Sequence, residues 1–254
     1  MPRTSVADCR WVCHDDRVTA HRTRARPGWQ LDELATIGQE NVDAVHVSRY
    51  DDKEDADAAS EVLLLQSAGV GPGATVVDLG AGTGQFALAA AEVFERVVAV
   101  DPSPVMLARL RAVASSQSTS LEIVEGGFLT YRHAGAPADV VYSRYALHHL
   151  PDFWKVVALG RIRALLRPQG LLRLWDIVYS FPVDETADRL EKWCASYPTA
   201  GDGWTRADLE DHVRDEHSTF NWLLEPMIRS AGFEVRDAAY SADGFFAKYL
   251  LTAV

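Results

Sequence analysis

The amino-acid sequence predicts an α/β fold: a doubly wound, mostly parallel sheet of seven strands that ends in an antiparallel hairpin and carries a helical cap. Three observations predict this fold. Short apolar, β-branched runs alternate with helix-period segments over residues 75–176, and such runs are typical of strands buried on both faces of a parallel sheet. The last two runs are joined by a turn too short for a parallel crossover. A helical stretch rich in aromatic residues lies between these two regions.

The individual elements follow from the position of each run. Five runs form the predicted parallel part, at residues 75–79, 96–101, 121–125, 139–143 and 170–176. Helical periodicity predicts the connecting helices at residues 86–94, 104–114 and 152–166. The closing hairpin is predicted at residues 233–240 and 245–252, around a polar turn. Two further helical segments precede the first strand, within residues 31–48 and before residue 69.

The chain divides into four predicted parts. Residues 1–28 lack periodicity and end in Pro27-Gly28, so we expect a poorly ordered leader there. Residues 29–69 are predicted to form an N-terminal helical lid. Residues 70–177 and 232–254 form the predicted cofactor-binding core, and residues 178–231 form a helical insert that caps the substrate.

Composition and charge limit the partners and the compartment. The chain has 254 residues and a net charge of −11, from 36 acidic and 25 basic side chains, so a polyanion such as nucleic acid is not an expected partner. No apolar run approaches the roughly 18 residues of a membrane helix, so no membrane association is expected. Three cysteines are a sparse, odd set that favours a cytoplasmic location. The sequence leaves the oligomeric state open, a homodimer being one of the states that it allows.

A glycine loop follows the first predicted strand and precedes a helix. Its spacing, Gly80-x-Gly82-x-Gly84, is one residue shorter than the dinucleotide fingerprint. Asp78 ends the strand before it, where a carboxylate would oppose a pyrophosphate but would suit an ammonium group. Asp101 ends the second strand, where an acid can accept hydrogen bonds from ribose hydroxyls. An amine and a ribose without a phosphate describe S-adenosylmethionine.

At these residues the chain resembles the class I S-adenosylmethionine-dependent methyltransferases, particularly their bacterial small-molecule branch. The matching pieces are residues 78–84, 100–103, 106–107, 138–143, 146–150 and 166–170. The resemblance implies a Rossmann-like fold, S-adenosylmethionine as cofactor and S-adenosylhomocysteine as product. It implies that Asp78 and the loop backbone hold the methionine part and that Asp101 holds the ribose. The predicted cofactor-binding set is Asp78, Gly80, Ala81, Gly82, Gly84, Asp101, Pro102, Ser103, Met106, Gly127, Phe128, Ser143 and Arg144.

One position departs from the family pattern. Members often have Gly-Asp after the third strand, with the acid bonding the adenine amine, whereas this chain has Gly126-Gly127-Phe128. Gly127 cannot supply that carboxylate, so we expect adenine to be held by stacking and main-chain bonds. The structural alternatives are a simple turn glycine at 127 and a core methionine at Met106.

Two residues are candidates for catalysis. His148, near the end of the fourth strand, is a candidate general base, because histidine titrates near neutral pH. Its alternative, like that of His149, is to shape the pocket wall. Tyr50 precedes the core and could cover the sulfonium by cation–π attraction, or it could be an ordinary surface tyrosine. No metal site is predicted, because His212 and His217 are five residues apart and do not share a helix face.

The predicted function is methyl transfer from S-adenosylmethionine to a small organic acceptor. The aromatic insert suggests an apolar or aromatic acceptor, although these side chains could instead form the core of the cap itself. The main alternative is a methyltransferase-like protein that binds the cofactor without methylating, which the glycine at position 127 mildly favours. A nicotinamide oxidoreductase is disfavoured by Asp78, and a nucleic-acid methyltransferase by the charge and by Ser143-Arg144-Tyr145-Ala146 in place of an Asn-Pro-Pro-Tyr-like element.

Overall fold

A computed structural model describes residues 27–38, 41, 43, 47, 56–117, 119–201 and 203–254. Most of the predicted leader and the candidate Tyr50 lie outside these residues. The chain divides into two compact units, Met1–Leu31 and Asp32–Val254. In the first unit, the Gln30 amide donates a hydrogen bond to the Pro27 carbonyl at 3.0 Å. The second unit contains the sheet and the site described below.

Helices connect the strands of the second unit up to the fifth strand, except between the third and the fourth, where residues 126–137 contain no helix. The strands are β1 (Thr75–Leu79), β2 (Arg96–Asp101), β3 (Glu122–Glu125), β4 (Ala138–Arg144), β5 (Leu166–Tyr179), β6 (Thr219–Phe220), β7 (Phe233–Tyr240) and β8 (Phe246–Ala253). The helices are α1 (Glu33–Thr36), α2 (Ala58–Ser67), α3 (Gln85–Ala91), α4 (Pro104–Gln117), α5 (Asp152–Leu165), α6 (Thr186–Ala195), α7 (Arg206–Asp215) and α8 (Asn221–Ser230). Short 3-10 turns span Leu147–His149 and Val183–Glu185.

The sheet confirms the predicted fold class. Its strand order is β3-β2-β1-β4-β5-β8-β7, with β1 to β5 parallel and β8 antiparallel to both β5 and β7. The additional two-residue strand β6 pairs with the end of β5. The order reverses between β1 and β4, and open α/β sheets bind ligands at the carboxyl ends of the strands at such a reversal. The topology therefore places a site where β1, β2 and β4 end.

The core forms because the central strands are apolar on both faces. Val76, Val77, Val140 and Val141 are fully buried, and the Phe86 ring of α3 stacks on Tyr142 with centroids 3.6 Å apart. Removal of this surface from water is the main stabilising contribution, about 25 cal/mol per Å².

A buried ion pair attaches α2 to the sheet. The guanidinium of Arg173 on β5 donates to the Glu61 carboxylate of α2 from Nε at 2.6 Å and from Nη2 at 2.8 Å. Both side chains are almost fully buried. Lys248 Nζ adds a second cation 3.6 Å from Glu61 Oε1. This charged group holds the end of the predicted lid segment against β5 and β8.

Two elements differ from the predictions by more than three residues at one end. β5 begins at Leu166 and continues to Tyr179, beyond both ends of the predicted strand at residues 170–176. Leu166 pairs with Ala138 and Tyr179 pairs with Phe220, so pairing with distant residues extends the strand. Within the helical segment predicted at residues 31–48, α1 is only four residues long, and Ile37 after it is extended.

Aromatic residues of the insert pack against one another and against Phe245, which precedes β8. The Trp193 ring of α6 stacks on Phe245 with centroids 4.4 Å apart, and Phe181 contacts both Phe220 and Phe245. Together with Tyr179 they form a separate hydrophobic cluster. The aromatic residues of the insert were predicted either to contact the acceptor or to form the core of the cap, and this packing favours the core of the cap. No helix among the described residues is long and apolar enough to cross a bilayer.

Candidate cofactor and active site

The glycine loop after β1 depends on glycine for both backbone conformation and space. Gly80, Gly82 and Gly84 have φ values of 76°, 54° and 87°, which L-residues with a side chain rarely adopt. A Cβ atom on Gly80 would lie 2.3 Å from Ala146 Cβ, and one on Gly84 would lie 2.2 Å from Leu110 Cδ1. A Cβ atom on Gly82 would meet nothing within 4 Å. Gly80 and Gly84 thus permit close packing, whereas Gly82 exposes backbone to the cleft.

Asp101 at the end of β2 is tied to this loop. Its Oδ2 accepts a hydrogen bond from the Gly82 amide at 2.9 Å, and its Oδ1 accepts one from the Ser103 amide at 2.8 Å. Burial raises the pKa of Asp101 to about 6. Burial, together with the charge of Asp101, also raises the pKa of the Asp78 carboxyl well above its ordinary value. Within the described part of the chain, no cation forms an ion pair with either carboxylate.

These features suit S-adenosylmethionine. Buried carboxylates without a cation favour a positively charged ligand, because an unpaired charge is costly in a protein interior, and the cofactor carries an ammonium and a sulfonium. Its ribose hydroxyls can donate to Asp101. The cleft holds about 590 Å³ of space, counting the part open to solvent. Eight predicted cofactor residues line it: Gly80, Gly82, Asp101, Pro102, Met106, Gly127, Phe128 and Arg144.

The other predicted cofactor residues lie behind this lining. The Ser103 hydroxyl donates to the Asn41 carbonyl at 2.5 Å and accepts from the Met106 amide at 3.2 Å. The Ser143 hydroxyl donates to the Leu79 carbonyl at 2.8 Å, joining β4 to β1. Both serines are fully buried. Asp78 and Gly84 are also buried, whereas Ala81 is half-buried.

Glu33 is a site residue that the sequence reasoning missed. This buried side chain of α1 accepts hydrogen bonds from the Leu129 amide at 3.0 Å and from the Thr130 hydroxyl at 3.1 Å. A Cβ atom on Gly127 would lie 2.4 Å from Glu33 Oε1. A carboxylate therefore stands beside the position where the family has its acid, and it comes from α1. Burial raises the pKa of Glu33 above its usual value.

The 3-10 turn after β4 carries two buried histidines with different surroundings. His148 Nδ1 lies 2.5 Å from Asp176 Oδ1, and His148 Nε2 lies 3.0 Å from Glu216 Oε2. Burial alone would lower the pKa of His148, but the two carboxylates outweigh it and raise the pKa to about 10. Both ring nitrogens of His148 contact a carboxylate, so the ring presents no free lone pair in this arrangement.

His149 lines the cleft beside His148. Burial and the adjacent His148 lower its pKa to about 3, so its ring is neutral at ordinary pH. His149 Nδ1 lies 3.8 Å from Glu216 Oε1 and has no hydrogen-bond partner. Glu216 also contacts His212 Nδ1, so its carboxylate faces three imidazole rings.

The fold and the site together define a Rossmann-like protein whose cleft suits a nucleoside cofactor with a cationic tail. Comparison with known proteins agrees. Residues 76–170 match the family model described as a methyltransferase domain. An uncharacterised methyltransferase of Bacillus subtilis (strain 168) is 33% identical over 167 residues, which cover 65% of this chain and 71% of that protein. The chain therefore belongs to the class I S-adenosylmethionine-dependent methyltransferases, and S-adenosylmethionine is its cofactor.

Solved structures show the same fold at low sequence identity. Magnesium protoporphyrin IX methyltransferase from Synechocystis PCC 6803, with bound S-adenosylmethionine, aligns with a TM-score of 0.61 at 14% identity, covering 90% of this chain and 100% of that one. The cyclase SpnF aligns with a TM-score of 0.58 at 16% identity, covering 77% and 81% of the two chains.

Proposed function

We propose that this methyltransferase acts on a small organic acceptor of apolar or aromatic character. The observation that carries the proposal is a single cleft with two kinds of wall. The glycine loop and Asp101 form one side, whereas Ile37, Tyr145, Ala146 and Leu150 contribute apolar surface elsewhere. Pockets of a few hundred Å³ that are mainly apolar suit small molecules. A cofactor held on the side of the glycine loop would leave the apolar side of the cleft to the acceptor.

The cofactor residues receive roles from their positions. We assign the methionine part to Asp78 and the backbone of Gly80–Gly84, and the ribose to Asp101. Met106, Pro102 and Phe128 would flank adenine, and the Glu33 carboxylate would accept a hydrogen bond from the adenine amine. When bound, the cofactor supplies an electrophilic methyl group on sulfur. The chain aligns the acceptor with that group and excludes water, and alignment alone can contribute several kcal/mol.

His148 and Tyr50 remain the catalytic candidates. His148 could act as a base only after releasing Glu216 or Asp176, because both of its ring nitrogens are engaged.

The charge of −11 supports a small molecule over nucleic acid as acceptor. We also propose a cytoplasmic location and allow a homodimer, on the grounds of cysteine content and family alone.

The test traces the methyl group of S-adenosylmethionine into its products. The protein is incubated with S-adenosylmethionine tritiated on the methyl, together with a metabolite extract, a protein fraction and total RNA in separate reactions. The proposal expects label in new small molecules from the extract and formation of S-adenosylhomocysteine, both lost in Asp101→Ala. Label transferred only to protein or RNA contradicts a small acceptor. Cofactor binding with label retained on S-adenosylmethionine in every reaction supports the alternative, a binder that does not methylate.

A further inference from the structure

A group of ionisable side chains beside the cleft has the composition of a metal site. One donor atom from each of His148, His149 and Glu216 lies within 4.8 Å of the other two. The shortest approaches are 3.0 Å between His148 Nε2 and Glu216 Oε2 and 3.8 Å between His149 Nδ1 and Glu216 Oε1. Donors around a zinc ion at about 2.0–2.2 Å stand roughly 3.3–3.6 Å apart. The three donor groups are therefore near enough to one another for a single ion to bring them to that spacing.

The buried, unpartnered His149 Nδ1 is the second observation. A buried polar atom without a partner is destabilising, so such an atom aimed into a cluster points to a missing ligand. We propose that His148 Nε2, His149 Nδ1 and the Glu216 carboxylate bind one divalent transition-metal ion, with Zn²⁺ as the first choice. Two imidazoles and a carboxylate form a ligand set of catalytic zinc sites, which leave one coordination position open.

The surroundings of the three ligands match those of a metal centre. Asp176 accepts hydrogen bonds from the His148 backbone amide at 3.0 Å and from the Ile177 amide at 2.8 Å, and its Oδ1 meets His148 Nδ1. This contact orients the His148 ring so that Nε2 faces Glu216, where a bound metal ion would replace the proton on Nε2. Carboxylates commonly orient metal-binding histidines in this way. On the other side, His212 contacts Glu216, and its Nε2 lies 2.9 Å from the Ser218 hydroxyl.

An ion at this position could bind the acceptor in the cleft. This part of the inference rests on the proposed function. His149 lines the cleft together with Gly80, Tyr145 and Ala146, so an open coordination position would face that space. A hydroxyl of the acceptor bound there would have a lowered pKa and would release its proton to solvent. Its oxygen would then form a bond to the methyl carbon, while the C–S bonding pair stays with sulfur. No side-chain base is needed for that route.

Metal content is measured directly on the full chain. We expect close to one equivalent of Zn²⁺ per chain after dialysis against Zn²⁺ and gel filtration, read by mass spectrometry of the metal. Co²⁺ in place of Zn²⁺ should give the visible absorption of a low-symmetry, four-coordinate site. Separate titrations with Fe²⁺ and Mg²⁺ test the preference, and binding of Mg²⁺ alone contradicts a nitrogen-rich site. These readouts do not depend on methyl transfer.

Variants separate the metal site from the cofactor site. Glu216→Gln and His149→Gln should each weaken Zn²⁺ binding at least tenfold, whereas His133→Gln, a histidine remote from the cluster, should bind as the wild type does. Asp101→Ala should lose S-adenosylmethionine and keep Zn²⁺. Circular dichroism checks that each variant is folded, and if Glu216→Gln does not fold, His149→Gln decides. A wild-type chain that binds Zn²⁺, Co²⁺ and Fe²⁺ no more tightly than His149→Gln overturns the proposal, whatever the methyl-transfer result.

Discussion

The carboxylate of Glu33 lies against Gly127, at a distance that leaves no room for a side chain there. A Cβ atom on Gly127 would stand 2.4 Å from Glu33 Oε1 and 2.6 Å from Glu33 Cδ. The glycine and the glutamate are therefore coupled, although 94 positions separate them in the chain. The pair places a carboxylate beside position 127, where we propose that adenine binds, although this chain has no acid after β3.

This pair predicts a rescue experiment. Glu33→Ala should weaken S-adenosylmethionine binding about tenfold or more, because hydrogen bonds to charged groups contribute roughly 1.5–3 kcal/mol. Gly127→Asp alone should also weaken binding, since its side chain collides with Glu33. The double variant Glu33→Ala with Gly127→Asp should recover most of the affinity by placing an acid after β3. Isothermal titration measures all four proteins, and additive losses in the double variant would refute the coupling.

Asp101 predicts a pH dependence of cofactor binding. Its pKa is raised to about 6 by burial, and ribose hydroxyls donate best to the ionised form. Affinity should therefore be full above pH 6 and fall as the pH drops through 6, with proton release on binding near that pH. Titration calorimetry in buffers of different ionisation enthalpy measures this. In Asp101→Asn the pH step should vanish, and a step that persists there would assign it to another group.

The raised pKa of Asp101 gives the stability of the cofactor-free protein the opposite pH dependence. The folded state binds the Asp101 proton more tightly than the unfolded chain does, so the contribution of this group to stability decreases as the pH rises from about 4 to 6. Asp101→Asn should remove that decrease. Chemical denaturation at pH 4.5 and at pH 7 compares the two proteins, and an identical pH dependence in both would contradict the raised pKa.

Gly84 predicts a large loss of stability on substitution. Gly84→Ala places a side chain at φ 87° and 2.2 Å from Leu110 Cδ1, and backbone strain and overpacking each cost about 1–3 kcal/mol. We expect urea denaturation to show a loss of about 2–5 kcal/mol. Gly71→Ala is the matched control, because Gly71 has no atom within 4 Å of its added Cβ and no positive φ. Equal losses in the two variants would contradict this account of the loop.

The buried ion pair predicts a contrast between two arginines. Arg173→Ala leaves Glu61 buried without its main partner and should cost about 3–5 kcal/mol. Arg167→Ala removes an arginine that pairs with Asp139 at 2.6 Å near the surface, where the Arg167 side chain is 50% exposed, and should cost no more than about 1 kcal/mol. Thermal and denaturant unfolding distinguish the two, and similar small losses would show that Lys248 alone balances Glu61.

The sheet was predictable because its signals are local. Apolar β-branched runs defined β1 and β2, and the short closing turn defined β7, all with the bounds that the structure has. The glycine loop located one side of the cleft. Elements fixed by distant partners were harder to predict. β5 is twice the length of its predicted run because Ala138 and Phe220 pair with its ends.

Only the site residues that belong to sequence motifs could be predicted. The carboxylate of Glu33 comes from a four-residue helix with no pattern of its own, and the glycine at position 127 was the one local sign that something else fills that space. The sequence predicted no metal site, because His212 and His217 do not share a helix face and the acidic residues around them are typical of a solvated helix. The proposed donors come instead from the turn after β4 and from Glu216, four residues after His212, and only the fold brings these segments together.

The most direct test of the cofactor cleft is a crystal structure of the full chain with S-adenosylhomocysteine. The account predicts ribose hydroxyls on Asp101, the adenine amine within hydrogen-bond distance of Glu33, and the sulfur facing the wall formed by Tyr145, Ala146 and His149. An adenine ring held away from Glu33, or a sulfur directed away from that wall, would contradict it.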